Sequence, residues 1–251
     1  LPIWPEEKAT GRKTAATEKV AAAAAERLVP CTLELGGKTP VLVFADTPID
    51  EAAAGAAFAA FVATGQTCVS GARFLVEETI YETFVERFAA RASAIRVGDP
   101  ADPSTEMGPV ISAASRDRCL AAIAEARTAG ARCVAGGGIP NLCAPIDVGH
   151  YVEPTVFADV SPDMALFQNE IFGPVVAVMP FKDEEQAIRL SNDVPFGLVA
   201  GVWSGDHARS LRVARQIRAG TVWIRDNYQQ PAEGIWGGFK ESGMGRELGP
   251  Y

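Results

Sequence analysis

One cysteine in this sequence stands where covalent chemistry is feasible. In Gly65-Gln66-Thr67-Cys68-Val69-Ser70-Gly71 an alanine-rich helical segment has to stop. Gly65 offers a left-handed C-terminal stop, and Thr67 a side chain that can cap a following turn. Unpaired backbone N–H groups would then face Cys68 and favour thiolate, the nucleophilic form, over thiol. The alternative is a structural cysteine, since free cysteines are among the most buried residues.

Two carboxylates are candidates to work beside it. Glu34 follows an alternating run, Cys31-Thr32-Leu33, and precedes Leu35-Gly36-Gly37. Desolvation at such a strand end would raise its pKa toward neutrality, which suits a general base. A solvated or lysine-paired carboxylate is the plainer reading. In Glu170-Ile171-Phe172-Gly173-Pro174 an acid and an aromatic precede a buried strand. A carboxylate there can hold the two hydroxyls of a ribose, and Phe172 can pack a flat ring. On spacing alone, a polar loop residue and a core phenylalanine are the simpler reading. Glycine-rich phosphate loops are absent, and Gly243-x-Gly245 lacks a strand–helix context. The two histidines, His150 and His207, lie in unrelated contexts, so acid–base work falls to a carboxylate. Five scattered cysteines, odd in number and never spaced C-x-x-C, argue against a disulfide framework and against a metal site.

The elements that would position these groups alternate. Helical segments are expected at Thr17–Val29, from Thr47 to about Thr64, and at Thr79–Ile95, Ser112–Ala129, Glu184–Ser191 and His207–Arg218. Strands are expected at Cys31–Leu35, Pro40–Phe44, Arg73–Val76, Cys133–Ala135, Tyr151–Phe157, Val175–Pro180, Val199–Trp203 and Thr221–Ile224. Thr47-Pro48-Ile49-Asp50-Glu51 reads as a capped helix start, and that helix carries so few polar side chains that burial nearly all round is expected. The segment from Trp236 onward is too rich in glycine for regular structure. Regular alternation implies an α/β fold with a mostly parallel sheet flanked by helices.

At 251 residues, 48% hydrophobic and 22% charged, the chain can bury a substantial core. A net charge of −8 argues against nucleic acid and anionic membrane surfaces as partners. Low-polarity runs such as Val20 to Ala25 are too short to span a bilayer. The first residues lack the basic start and apolar core of a signal peptide, so a cytoplasmic location is expected.

Together the motifs resemble the aldehyde dehydrogenase superfamily. Leu33-Glu34-Leu35-Gly36-Gly37-Lys38 is similar to its glutamate signature and Gly65-Gln66-Thr67-Cys68 to its cysteine signature, at the family's separation. Glu170 to Pro174, Asn192 with Phe196-Gly197-Leu198, and Trp236-Gly237-Gly238-Phe239-Lys240 to Ser242-Gly243 resemble three further blocks in the family's order. The resemblance runs from about Thr10 onward. It implies that Cys68 attacks a carbonyl carbon while its own N–H helps hold the oxyanion. It implies that Glu34 activates the water that hydrolyses the thioester, that Glu170 binds the nicotinamide ribose, and that Phe172 lies beside the ring.

Departures from the family shape the expected activity. The chain is about half the family's length, so truncation at both ends is expected. Residues 1–36 would be a remnant of the cofactor-binding domain, with Thr10-Gly11-Arg12 near the pyrophosphate, 37–240 the catalytic domain and 241–251 a C-terminal extension. Arg225 stands where the family usually has asparagine. If the chain is complete, cofactor-independent hydrolysis of a small ester (esterase activity) through Cys68 and Glu34 ranks first, with no cofactor required. NAD(P)-dependent oxidation of an aldehyde ranks second and needs NAD or NADP bound with help from a separately supplied domain. An inactive remnant ranks third. An apolar face left uncovered would favour a homo-oligomer.

Overall fold

The structure is a computed structural model that describes residues 12–249. Thr10 and Gly11, and with them the start of the expected cofactor-domain remnant, lie outside the described residues, as do Pro250 and Tyr251 at the other end.

Continuous apolar runs form the centre because strands covered on both faces need no polar alternation. In chain order the strands are β1 (Leu33–Glu34), β2 (Thr39–Val43), β3 (Gly71–Glu77), β4 (Arg132–Ala135), β5 (Thr155–Ala158), β6 (Val175–Phe181), β7 (Phe196–Gly197), β8 (Val199–Trp203), β9 (Thr221–Ile224), β10 (Phe239–Lys240) and β11 (Gly243–Met244). The helices are α1 (Arg12–Glu26), α2 (Ile49–Phe61), α3 (Tyr81–Ala94), α4 (Ala113–Thr128), α5 (Ala165–Gln168), α6 (Glu184–Asn192) and α7 (His207–Ala214). Seven strands make one sheet in the order β4-β5-β6-β3-β2-β8-β9. Every pairing in it is parallel except β4 with β5. Successive residues of β2 and β3 face opposite layers. Val41, Val43, Phe74 and Val76 pack under α2 and α3. Leu42 and Leu75 join the core built with α4, α5, α6 and α7. The mixed α/β architecture, with a mostly parallel sheet between helical layers, is the one the alternation implies.

Several local expectations change. The run through Thr64 is not one helix: α2 ends at Phe61, and Ala63, Thr64 and Gly65 all adopt left-handed backbone (φ 51°, 58° and 64°). Gly65 has the left-handed backbone expected of it but does not stop the helix, which has already ended at Phe61, and the two residues before it bend the same way despite carrying Cβ atoms. Nor is α2 buried all round, because Phe58 is 53% exposed. Pro48, not Thr47, occupies its N-cap position and makes no side-chain cap. Cys31–Leu35 contributes only the two residues of β1, since its partner is the short β11 and not the main sheet. The glycine-rich C-terminal segment does form regular structure: β10 pairs with β7 and β11 with β1, both antiparallel. α7 stops at Ala214, four residues short of the expected end.

Arg225, just beyond β9, has φ +54°. A left-handed backbone costs an arginine about 1–2 kcal/mol and an asparagine less. Its ion pair to Glu51 is made by two largely solvated side chains, a class of contact worth about 0.2–1 kcal/mol. Arg225→Asn is therefore expected to raise the melting temperature by about 1–3 °C in a thermal scan. A lower melting temperature would mean the ion pair outweighs the backbone strain.

Candidate active site

The candidate residues lie in segments that enter neighbouring parallel strands. Glu34 to Lys38 leads into β2, Gly65 to Ser70 into β3, Glu170 to Pro174 into β6 and Leu198 into β8, and in the sheet these strands run β6-β3-β2-β8. Parallel strands bring their entry segments to the same end. Four blocks far apart in sequence therefore meet at one place.

Cys68 is half-buried in a single turn closed by Ser70 N–H donating to the Thr67 carbonyl (3.2 Å). No helix starts there, so the expected helix-start cap by Thr67 is corrected. The Thr67 hydroxyl instead meets the hydroxyls of Ser70 (2.7 Å) and Tyr228 (2.9 Å). Gln66 ties the turn to the segment before α4, its Oε1 accepting from Ile111 N–H (3.0 Å). Cys68 and Trp236 both pack against the small cluster of Leu198, Val199 and Trp223.

Glu34 is exposed, which corrects the expectation of a desolvated carboxylate. Its two-residue strand lies outside the main sheet, beside β11. Trp236 reaches it, Nε1 donating to Glu34 Oε2 at 2.8 Å. Trp236 thus links the carboxylate to the apolar cluster on which Cys68 rests.

Glu170 and Phe172 are half-buried and line a small hollow together with Gly37, Lys38, Thr67 and Ser70. Gly37 N–H donates to Glu170 Oε1 (3.2 Å). Close approach to backbone requires glycine at Gly37, while Gly36 lies against the flexible end of the Glu170 side chain. A Cβ on Gly36 would run into the Glu170 carboxylate, and one on Gly37 would stand 2.7 Å from the Cys68 carbonyl oxygen. The loop is held from behind by α4, where Arg118 Nε donates to the Ile171 carbonyl (2.9 Å) and Cys119 sits against Gly173. Burial pushes the Cys119 thiol up to about 11, so this second cysteine is a packing residue. Asn192 and Lys240, members of two other blocks, clamp backbone. Asn192 bridges Gln216 and Arg218, and Lys240 Nζ donates to the carbonyls of Asn192 (2.7 Å) and Val194 (2.9 Å).

Against known proteins, the chain matches the aldehyde dehydrogenase family over residues 9–251. It belongs to that family. A betaine aldehyde dehydrogenase of Brucella anthropi is 46% identical over 232 residues, which is 92% of this chain and 47% of that protein. Betaine aldehyde dehydrogenase from Staphylococcus aureus, solved in complex with NAD+, superposes with a TM-score of 0.90 at 37% identity, covering 94% of this chain and 46% of the other. An aldehyde dehydrogenase from Bacillus cereus, solved as a mutant, gives a TM-score of 0.90 at 39% identity over 95% and 48%. The chain spans about half the length of the curated relatives it matches. No helix among the described residues is long and apolar enough to cross a membrane.

Beneath the candidate site lie two buried basic residues whose roles the sequence did not reveal. Arg73 in β3 is wholly buried and donates to the carbonyls of Lys38 (3.0 Å), Leu190 (2.8 Å) and Ser191 (2.9 Å). A charged residue inside an apolar strand is the one sequence signal of that role. Lys38 is 2% exposed and its Nζ has no hydrogen-bond partner. Burial and the Arg73 guanidinium push the Lys38 amine down to about 7, with Glu170 pulling it back up. The unfolded chain keeps that proton to about pH 10.4. Between these limits the unfolded state binds more protons, so stability rises with pH across the window, and the cost at Lys38 is greatest below about pH 7. Lys38→Met is expected to raise the melting temperature more at pH 6 than at pH 9. An equal shift at both would show that the amine does not titrate in this range.

Proposed function

We propose that this site oxidises an aldehyde to a carboxylic acid with NAD(P), through a covalent intermediate on Cys68. The observation that carries the reading is the meeting of three segments at Gly36-Gly37, where the Gly37 amide bonds Glu170 and its Cα abuts the Cys68 backbone. Cys68 is the nucleophile and forms a thiohemiacetal with the aldehyde carbon, its own N–H contributing to the oxyanion site. Glu34, solvated and oriented by Trp236, is the base that activates water against the thioester.

The residues present fit a nicotinamide cofactor. The Gly37 amide holds the Glu170 carboxylate beside the glycine pair, and that carboxylate and Phe172 line the hollow beside the Cys68 turn. Glu170 would hold the ribose hydroxyls and Phe172 would pack the ring. When bound, the cofactor supplies the hydride acceptor; the chain's own groups hold the acyl sulfur bond and deliver water to it.

Length put ester hydrolysis first in the sequence-based ranking. A chain spanning half of its relatives gives length no such weight, and the relatives, named for aldehyde oxidation, favour the second reading. Betaine aldehyde is the substrate we favour. The matched relatives bear that name, and Trp236 beside the Cys68 cluster offers an aromatic face that attracts a quaternary ammonium group. The assignment of 37–240 to catalysis, with 1–36 and 241–251 as flanks, belongs to this proposal, and β1 with β11 ties the flanks together. Exposed Ile235, Phe239, Met244 and Leu248 support self-association along the C-terminal segment.

The test is to supply the chain with betaine aldehyde and NAD+ or NADP+, and in parallel with a p-nitrophenyl ester. Reduced cofactor formed in step with acid supports the proposal. Ester turnover without reduced cofactor would restore ester hydrolysis to first place.

A further inference from the structure

The turn bearing Cys68 is entered through strained backbone. Ala63 and Thr64 are left-handed although both carry Cβ atoms, and Gly65 continues the bend. Conformations of this kind persist only where surrounding contacts over-determine them. The contacts on the far side of the turn come from three hydroxyls. Thr67 and Ser70 flank Cys68, and Tyr228 reaches both from the segment after β9, at 2.9 Å and 3.2 Å. The Tyr228 hydroxyl also reaches the carbonyl of Ala59 in α2 (3.3 Å). One phenol therefore touches the turn at two points and the helix leading into it at a third.

The ring carrying that hydroxyl is itself fixed. It stacks on Trp223 with centroids 6.0 Å apart and planes 15° apart, and Phe58 meets it edge-on at 5.7 Å. Tyr228 adopts φ +66°, so its own backbone is bent to bring the ring there. Trp223 belongs to the cluster against which Cys68 packs. Through its ring Tyr228 is anchored to the same wall as the sulfur, and through its hydroxyl to the backbone that carries it.

We infer that Tyr228 is a positioning residue for Cys68, its hydroxyl clasping the strained turn so that the thiol is held in one attacking orientation. The inference rests on the proposed role of Cys68 and adds the element that aims it. Burial holds the Tyr228 phenol above its ordinary value, its hydrogen bonds with Ser70 and Thr67 draw it down, and charge on Cys68 pushes it up. The hydroxyl therefore stays protonated at neutral pH, and the clasp is in place when Cys68 reacts.

Alkylation of Cys68 by iodoacetamide tests this without requiring turnover, with exposed Cys143 as internal reference. Tyr228→Phe keeps the ring and removes the clasp. A released turn lets the half-buried thiol meet the reagent more often, so alkylation should accelerate about three- to tenfold, the weight of one net hydrogen bond. Aldehyde turnover should fall by a similar or larger factor in kcat with KM little changed, because orientation and not binding is lost. Thr67→Val removes the partner hydroxyl and should act in the same direction, and the double variant should add little to either single change. A Cys68 alkylation rate unchanged or slower in both single variants, relative to Cys143, would overturn the inference. Loss of turnover alongside wild-type alkylation would assign the hydroxyl some role other than holding the turn. If the wild type shows no turnover, the proposed function fails while the alkylation comparison still decides this inference.

Discussion

Replacing Cys68 with alanine is expected to abolish formation of reduced cofactor from aldehyde, lowering kcat by about 10⁴-fold or more, as deletion of a covalent nucleophile does. The size of the loss follows from the chemistry. Without the sulfur no thiohemiacetal forms. Cys119 lies wholly buried behind the Glu170 loop with its thiol pushed up to about 11, and cannot substitute. The fold should survive, because Cys68 is only half-buried and alanine keeps the turn backbone. A melting temperature close to wild type with turnover gone would separate chemistry from stability. Ester hydrolysis, if the chain has it, should vanish in the same variant, since both routes pass through one acyl–sulfur bond. Glu34→Gln should behave differently: the acyl-enzyme should form and persist, visible as added mass on Cys68, because only water activation is lost. Turnover surviving in Cys68→Ala would remove the cysteine mechanism altogether.

How this site assembles was partly legible in the sequence. Glu170 and Cys68 each stand just ahead of an apolar run, and Glu34 lies a few residues before another. Strands separated by helices are parallel, and parallel strands place their entries at one end of a sheet. That much follows from pattern. The order β6-β3-β2-β8, which makes those entries neighbours, rests on pairings between distant strands and left no local trace. Glu34 shows the limit most clearly. Its alternating surroundings read as a strand end, but its exposure is set by β11, more than two hundred residues away, where Glu34 pairs with Gly243. The left-handed backbone at Gly65 was readable because glycine favours it, although the helix itself stops four residues earlier, at Phe61. The same conformation at Ala63 and Thr64 was not, because neither residue type announces it and tertiary contacts impose it. Tyr228 was equally silent, one tyrosine in a loop until the fold placed its hydroxyl against Thr67 and Ser70.

The largest effect on stability is expected at Arg73, a residue that takes no part in the chemistry. Its guanidinium is 0% exposed and fills the space between the Lys38 backbone, the end of α6 and the face of Phe167, 4.7 Å from the ring centroid. Three of its nitrogens satisfy three carbonyls, two of which, Leu190 and Ser191, belong to the last turn of α6. A helix end buried without such partners leaves carbonyls unsatisfied. Burial pulls the guanidinium down to about 9, with Asp193 opposing, so it remains charged at neutral pH and its cost is borne by those hydrogen bonds. Arg73→Leu removes the charge but strands the carbonyls, and the loss expected from breaking such an arrangement is about 3–5 kcal/mol. For a chain of this size that corresponds to a fall of roughly 6–20 °C in melting temperature. Arg73→Lys keeps the charge but not the planar fork, so it should recover only part of the loss. Because Arg73 Nε holds the Lys38 carbonyl next to Gly37, the backbone that carries the Glu170 and Cys68 contacts should loosen as well, and turnover should fall at temperatures where the variant is still folded. A thermal scan of both variants decides it: a melting temperature within about 2 °C of wild type for Arg73→Leu would mean the three carbonyls find other partners, and the buried cation would then be incidental to the fold.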